Sequence, residues 1–108
     1  MHKGKIILIP FPFTDLSGQK IRPAIVLYAN KQGDDLVVCF ISSKQTGKSE
    51  IFDIKVKTTS QNGLKMDSVI KVSKIATLEK KIVLGEIGDL DKKTIEEINK
   101  KLKILFFL

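Results

Sequence analysis

Short apolar blocks separated by clusters of turn formers run along most of this chain, and the period inside each block predicts its element. "GKIILIPF", residues 4–11, is rich in β-branched side chains and closes at Pro10 and Pro12, which predicts a first strand near a sheet edge. The polar stretch 12–21, with Asp15, Ser17 and Gly18, predicts a loop. "RPAIVLYA", residues 22–29, predicts a second strand whose only proline stands at its start, where a missing N–H costs least. "NKQGDD" then predicts a hairpin turn of more than two residues. "DLVVCFISS", residues 35–43, is apolar on both faces, so it belongs in a central position.

After a second polar loop, "IFDIKVK" (51–57) and "DSVIKVSKI" (67–75) alternate with a period of two and predict half-buried strands. Between them Asn62-Gly63 suits a turn with positive φ. Five strands joined by short turns favour a small antiparallel barrel or sandwich. The period then changes. Ile95, Ile98, Leu102, Leu105 and Phe106 recur at helical spacing behind Asp91, a suitable N-cap, with lysines filling the other face. The final "ILFFL" is more apolar than one helix face requires, so it is expected to seal the barrel or to meet a second subunit, core packing being preferred.

At 108 residues the chain is expected to form a single domain, residues 1–108, with a modest core that dimerisation would supplement. Nineteen basic against twelve acidic residues give a formal charge of +7, which suits nucleic acid or an acidic protein segment, although an A/T-biased genome that inflates lysine would leave the same imprint. Cys39, the single cysteine, excludes an internal disulfide and a multi-cysteine zinc site, and within "LVVCFI" it reads as a small buried hydrophobe. The apolar run at the N-terminus is short and broken by prolines, unlike a signal peptide or a membrane span, so the expected compartment is the cytoplasm.

Candidate chemistry is sparse. The one histidine, His2, sits at a terminus; no His and carboxylate cluster has metal-ligand spacing, and no glycine-rich phosphate loop is present, so neither metal nor nucleotide cofactor is expected. Two features remain. Arg22 is the only arginine beside eighteen lysines, and a guanidinium presents a planar fork that grips phosphate bidentately where lysine offers a mobile point charge. The opposing interpretation is a structural salt bridge with a carboxylate such as Asp15. The third strand ends in Ser42-Ser43, two hydroxyls that alternation points to opposite faces, so that only one can share a face with Arg22.

"GKIILIPFPFTDLSGQKIRPAIVL", "VVCFISS", "LKMDSVIKVSKIATLEKK" and "IGDLDKKTIEEINKKL", in that order, resemble the MazF/PemK family of type II toxin–antitoxin endoribonucleases over nearly the whole chain. The resemblance implies an SH3-like small antiparallel barrel (CcdB/PemK-type) with a C-terminal helix, a homodimer, single-stranded RNA as substrate and a cognate antitoxin protein as partner. It also implies metal-independent cleavage, in which the ribose 2′-OH attacks the adjacent phosphorus to leave a 2′,3′-cyclic phosphate and a 5′-OH end. The family's arginine before proline falls on Arg22 and its strand-end hydroxyl on Ser42, with Ser43 as the fallback. RNA contacts are expected from Thr14, Asp15, Ser17 and Lys20 in the first loop, from Ser43 and Lys44, and from Lys71 and Ser73. Where some members carry a carboxylate, this chain has Ser73, which cannot act as a base, and the general base stays unassigned between Asp15 and a neighbouring lysine. The alternative is a non-catalytic SH3-like binding module, or a relative that poisons a protein such as DNA gyrase.

Overall fold

A computed structural model describes residues 1–11, 20–43 and 50–108. Six strands form one sheet: β1 (Lys5–Phe11), β2 (Lys20–Ala29), β3 (Asp35–Ser42), β4 (Asp53–Val56), β5 (Ser68–Glu79) and β6 (Gly85–Asp89), followed by one helix, α1 (Lys92–Leu105). Their order is β4-β5-β3-β2-β1-β6, and every neighbouring pair is antiparallel. β3 is central, as its two-sided apolar pattern requires. Register shifts break the β1–β6, β2–β3 and β3–β5 ladders, and such bulges bend strands, so the sheet curls into a half-barrel.

Alternation along the strands sorts the apolar residues onto two faces. Ile6, Ile25, Cys39, Ile41, Ile54, Ile70 and Val72 form one cluster, completed by Leu90 and by Ile98 of α1, with Ile95 and Leu102 packed against it. Ile7, Ile9, Ala24, Val26, Leu36, Val38 and Leu78 form the other, covered by Phe40, Ile82 and Val83. The helix begins where the sequence placed it: Asp91 accepts a hydrogen bond from the Thr94 N–H. It lies so close to the N-terminal turn that a Cβ on Gly4, at φ 93°, would come within 2.6 Å of Ile95 Cδ1.

The turn at Asn62-Gly63 forms with Gly63 at φ 68°, and buried Asn62 organises it. Its Oδ1 accepts from the Thr59 and Leu64 N–H groups and its Nδ2 donates to the Lys57 carbonyl. One strand escapes sequence reading. β6, "GEIGD", has two glycines and two acids, poor strand formers, and is defined by pairing with β1 rather than by its own pattern.

The end of the chain departs from expectation. Ile104 is 57% exposed, Phe106 55%, Phe107 95% and Leu108 89%, so "ILFFL" does not seal the core. The helix stops at Leu105, and Phe107 adopts φ 57° while the Leu108 N–H bonds the Lys103 carbonyl and the Phe107 N–H that of Ile104. This left-handed C-terminal cap turns the last residues away from the sheet.

Candidate functional site

Ala24 of β2 lies opposite Phe40 of β3, and continuing that antiparallel register by two residues sets Arg22 across from Ser42. Alternation therefore aims Arg22, Ser42 and Phe40 at the face of the second cluster, and Ile41 and Ser43 at the other. A cavity of about 280 Å3 opens there, lined by Phe11, Arg22, Phe40, Ile41, Ser42, Lys71, Lys74 and Ile75. Among the described lining residues three are cations and none is acidic.

Arg22 is held by apolar contact. Its Cζ lies 5.9 Å from the centroid of the Phe11 ring, within cation–π range, and Phe11 in turn meets the edge of Phe40 at 5.5 Å between centroids. Its Nε is buried and has no hydrogen-bond acceptor among the described residues. Among the described residues Arg22 forms no ion pair; Asp15, the carboxylate suggested for that role, lies outside them. A buried guanidinium nitrogen without an acceptor is costly unless a ligand supplies one.

Lys71 reaches the cavity wall from β5 and is paired: its Nζ stands 2.9 Å from Asp53 Oδ2 on β4. Lys74 arrives by a different route. Phe40 lies opposite Lys71 and Cys39 opposite Ile75, so Val72, Ser73 and Lys74 crowd into a single step of the β3–β5 ladder. That bulge brings Lys74 to the cavity and leaves Ser73 exposed, outside the lining. Strict alternation had put 71 and 73 on one face and hidden Lys74. The available signal was the slip from Ile70 and Val72, two apart, to Ile75 three further on.

On the other side of Arg22 lies a larger cavity of about 530 Å3. Lys20, Ser43, Lys65 and Ser68 are its described polar lining beside Arg22, among apolar walls that include Ile21, Pro23, Leu64 and Met66, and again no described lining residue is acidic. Arg22 and Ile41 are shared by both cavities, so the two serines serve different spaces about one guanidinium. The expected contacts Lys20 and Ser43 fall here, while Thr14, Asp15, Ser17 and Lys44 lie outside the described residues.

The remaining reactive groups are accounted for elsewhere. His2 is tied down, its Nε2 2.8 Å from Asp89 Oδ1, while the Lys5 Nζ donates to Oδ2 at 3.1 Å; hydrogen bonds from Lys5 and His2 hold the Asp89 carboxyl below the usual range. Burial pushes the Cys39 thiol up to about 12, so it stays protonated and inert. Among the described residues no three His, Cys, Asp or Glu side chains gather as a metal-binding cluster, and no helix is long and apolar enough to cross a membrane.

Residues 2–106 match the family of PemK-like, MazF-like toxins of type II toxin-antitoxin systems. No curated protein matches the chain. Among solved structures it is similar to an endoribonuclease in complex with its cognate antitoxin from a mycobacterial species, with a TM-score of 0.78 at 16% identity over 100% of this chain and 96% of that one. It is similar also to the MazE-MazF crystal structure from Deinococcus radiodurans, with a TM-score of 0.78 at 20% identity over 100% and 97%. The Mycobacterium tuberculosis toxin MazF-mt6 superposes with a TM-score of 0.76 at 19% identity over 96% and 97%. At these identities the structural likeness speaks for the half-barrel alone, while the family match covers the strands that build both cavities. The chain belongs to the PemK-like, MazF-like toxins of type II toxin–antitoxin systems.

Proposed function

We propose that this toxin is a sequence-specific endoribonuclease that cuts single-stranded RNA without a metal ion, leaving 2′,3′-cyclic phosphate and 5′-OH ends. The observation that carries it is the meeting of Arg22, its Nε buried and without an acceptor among the described residues, with Ser42 in one basic cavity whose described lining holds no carboxylate. A phosphodiester seated there would place its nonbridging oxygens among the donors of Arg22, Ser42, Lys71 and Lys74. When the ribose 2′-oxygen attacks, negative charge grows on those oxygens as phosphorus becomes five-coordinate. Fixed donors then stabilise the transition state more than the ground state.

The P–O5′ bond breaks as the new P–O2′ bond forms, and the departing oxygen takes up a proton while the 2′-OH gives one up. A guanidinium offers donors and no acceptor, so the part of Arg22 is charge stabilisation rather than base catalysis. The described lining contains neither a carboxylate nor an imidazole, which leaves Asp15 or solvent to accept the 2′-OH proton. On either side of Arg22 the strand would run from the Ser42 cavity to the Ser43 cavity, where Lys20 and Lys65 meet further phosphates. Ser43 and the first loop, with Thr14, Asp15 and Ser17, contact the bases; Lys44 and Ser73 are assigned to outlying RNA contacts.

The same positive track would receive an acidic segment of a cognate antitoxin, which neutralises the enzyme by occupying it. Exposed apolar residues at the C-terminus favour a homodimer, and the substrate places the enzyme in the cytoplasm. Purified protein incubated in EDTA with mixed single-stranded RNA is expected to give discrete fragments with 5′-OH ends. Intact RNA would instead support a binding module or a toxin with a protein target.

A further inference from the structure

Asp53 is a carboxylate buried at the back of a phosphate site, where charge alone would argue against it. Its side chain is only 6% exposed and its Oδ2 accepts from Lys71 Nζ at 2.9 Å and from the Glu50 N–H at 3.2 Å. The two residues are direct partners across the β4–β5 ladder, so the pair is built into the sheet. Asp53 itself does not line the cavity, whereas Lys71 does. Lys74, the other lysine of that wall, is exposed and forms no ion pair among the described residues.

We propose that Asp53 is a positioning residue that fixes the Lys71 ammonium in the wall of the Arg22–Ser42 cavity, making Lys71 a preset donor to the scissile phosphate and leaving Lys74 as a mobile one. This rests on the nuclease function proposed above. The physical reason is entropy and reorganisation. A loose lysine gives up rotamer freedom when it is held in place. One already held by Asp53 has lost that freedom during folding, so its donor need not be recruited as charge develops. The cost is weaker ground-state attraction, because Asp53 offsets the charge of Lys71. Asp53 therefore favours catalysis over binding. It does not replace the carboxylate missing at Ser73, since the only face it presents to the site is through Lys71.

That division gives a signature that a merely structural residue lacks. In Asp53→Asn, kcat should fall about 10- to 100-fold. RNA affinity at low salt should hold or rise, and the dependence of log K on log salt should steepen by about 0.7, one additional single-strand phosphate contact. In a double-mutant cycle the losses of Asp53→Asn and Lys71→Met should not multiply, because the first acts through the second. Should the variant fold poorly, NMR of the lysine ammonium groups in the wild-type protein tests the same claim: Lys71 should give a resolved, slowly exchanging signal and Lys74 should not. Wild-type cleavage with an unchanged Asp53→Asn rate, multiplying losses, or a mobile Lys71 ammonium would each overturn the role of Asp53. An inactive wild-type protein would overturn the nuclease function itself, and the role of Asp53 with it.

Discussion

At the scale of single residues, Arg22 decides most. A chain that uses lysine everywhere else places its one guanidinium between two basic cavities, where the proposed grip on phosphate calls for a planar fork. Arg22→Lys keeps net charge and strand pairing, and should lower the cleavage rate by about tenfold or more through loss of the bidentate grip. Unchanged circular dichroism alongside unchanged cleavage would remove Arg22 from the chemistry. The two serines offer a sharper comparison, since they line different cavities on either side of that guanidinium. Ser42→Ala should slow cleavage of any susceptible RNA, whereas Ser43→Ala should leave the rate on the best site within about threefold, less than a single hydrogen bond is worth, and alter the choice of site. End-mapping of both variants on one mixed RNA pool checks this; the reverse pattern would place the reacting phosphate in the larger cavity.

At the scale of elements, legibility followed local chemistry. β1, β2, β3 and the start of α1 were readable because apolar period, proline position and the Asp91 cap all agreed. β6 was not, because "GEIGD" takes its conformation from β1, and no local pattern records a partner eighty residues away. Arg22 stood out by residue type and Ser42-Ser43 by its place at a strand end, with the family resemblance choosing Ser42, but Lys74 could not be found, because a bulge changes which side chains share a face without changing composition. The tail was misjudged for a related reason: Phe106 fits the helical spacing, yet the helix terminates at Leu105 before that spacing can bury it. Phe107 then occupies a left-handed position that glycine normally fills, at φ 57° with 95% of its surface exposed. Phe107→Gly should therefore stabilise the isolated protein by about 1 kcal/mol, the cost of that conformation for a side chain. In a domain of this size that corresponds to a rise in Tm of about 4–8 °C. A fall in Tm that grows as the protein is concentrated would show instead that Phe107 is buried between subunits.

At the scale of the whole molecule, the excess charge matters less than where its cations gather. Lys20, Lys65, Lys71 and Lys74 line the two cavities beside Arg22, and none of the described lining residues is acidic. Lysine enrichment by genome composition would scatter cations rather than gather them along one track, so this distribution favours a polyanionic ligand over a compositional accident. Salt dependence separates the two. If RNA follows the track, Lys20→Ala combined with Lys65→Ala should flatten the plot of log K against log salt by about 1.4, two single-strand phosphate contacts. Lys92→Ala combined with Lys93→Ala removes the same formal charge from the exposed first turn of α1, where the helix dipole disfavours it, and should leave the slope unchanged. Equal flattening by both pairs, measured by fluorescence anisotropy with a labelled single-stranded RNA, would mean that the protein attracts RNA through its net charge alone and that the two cavities are not its path.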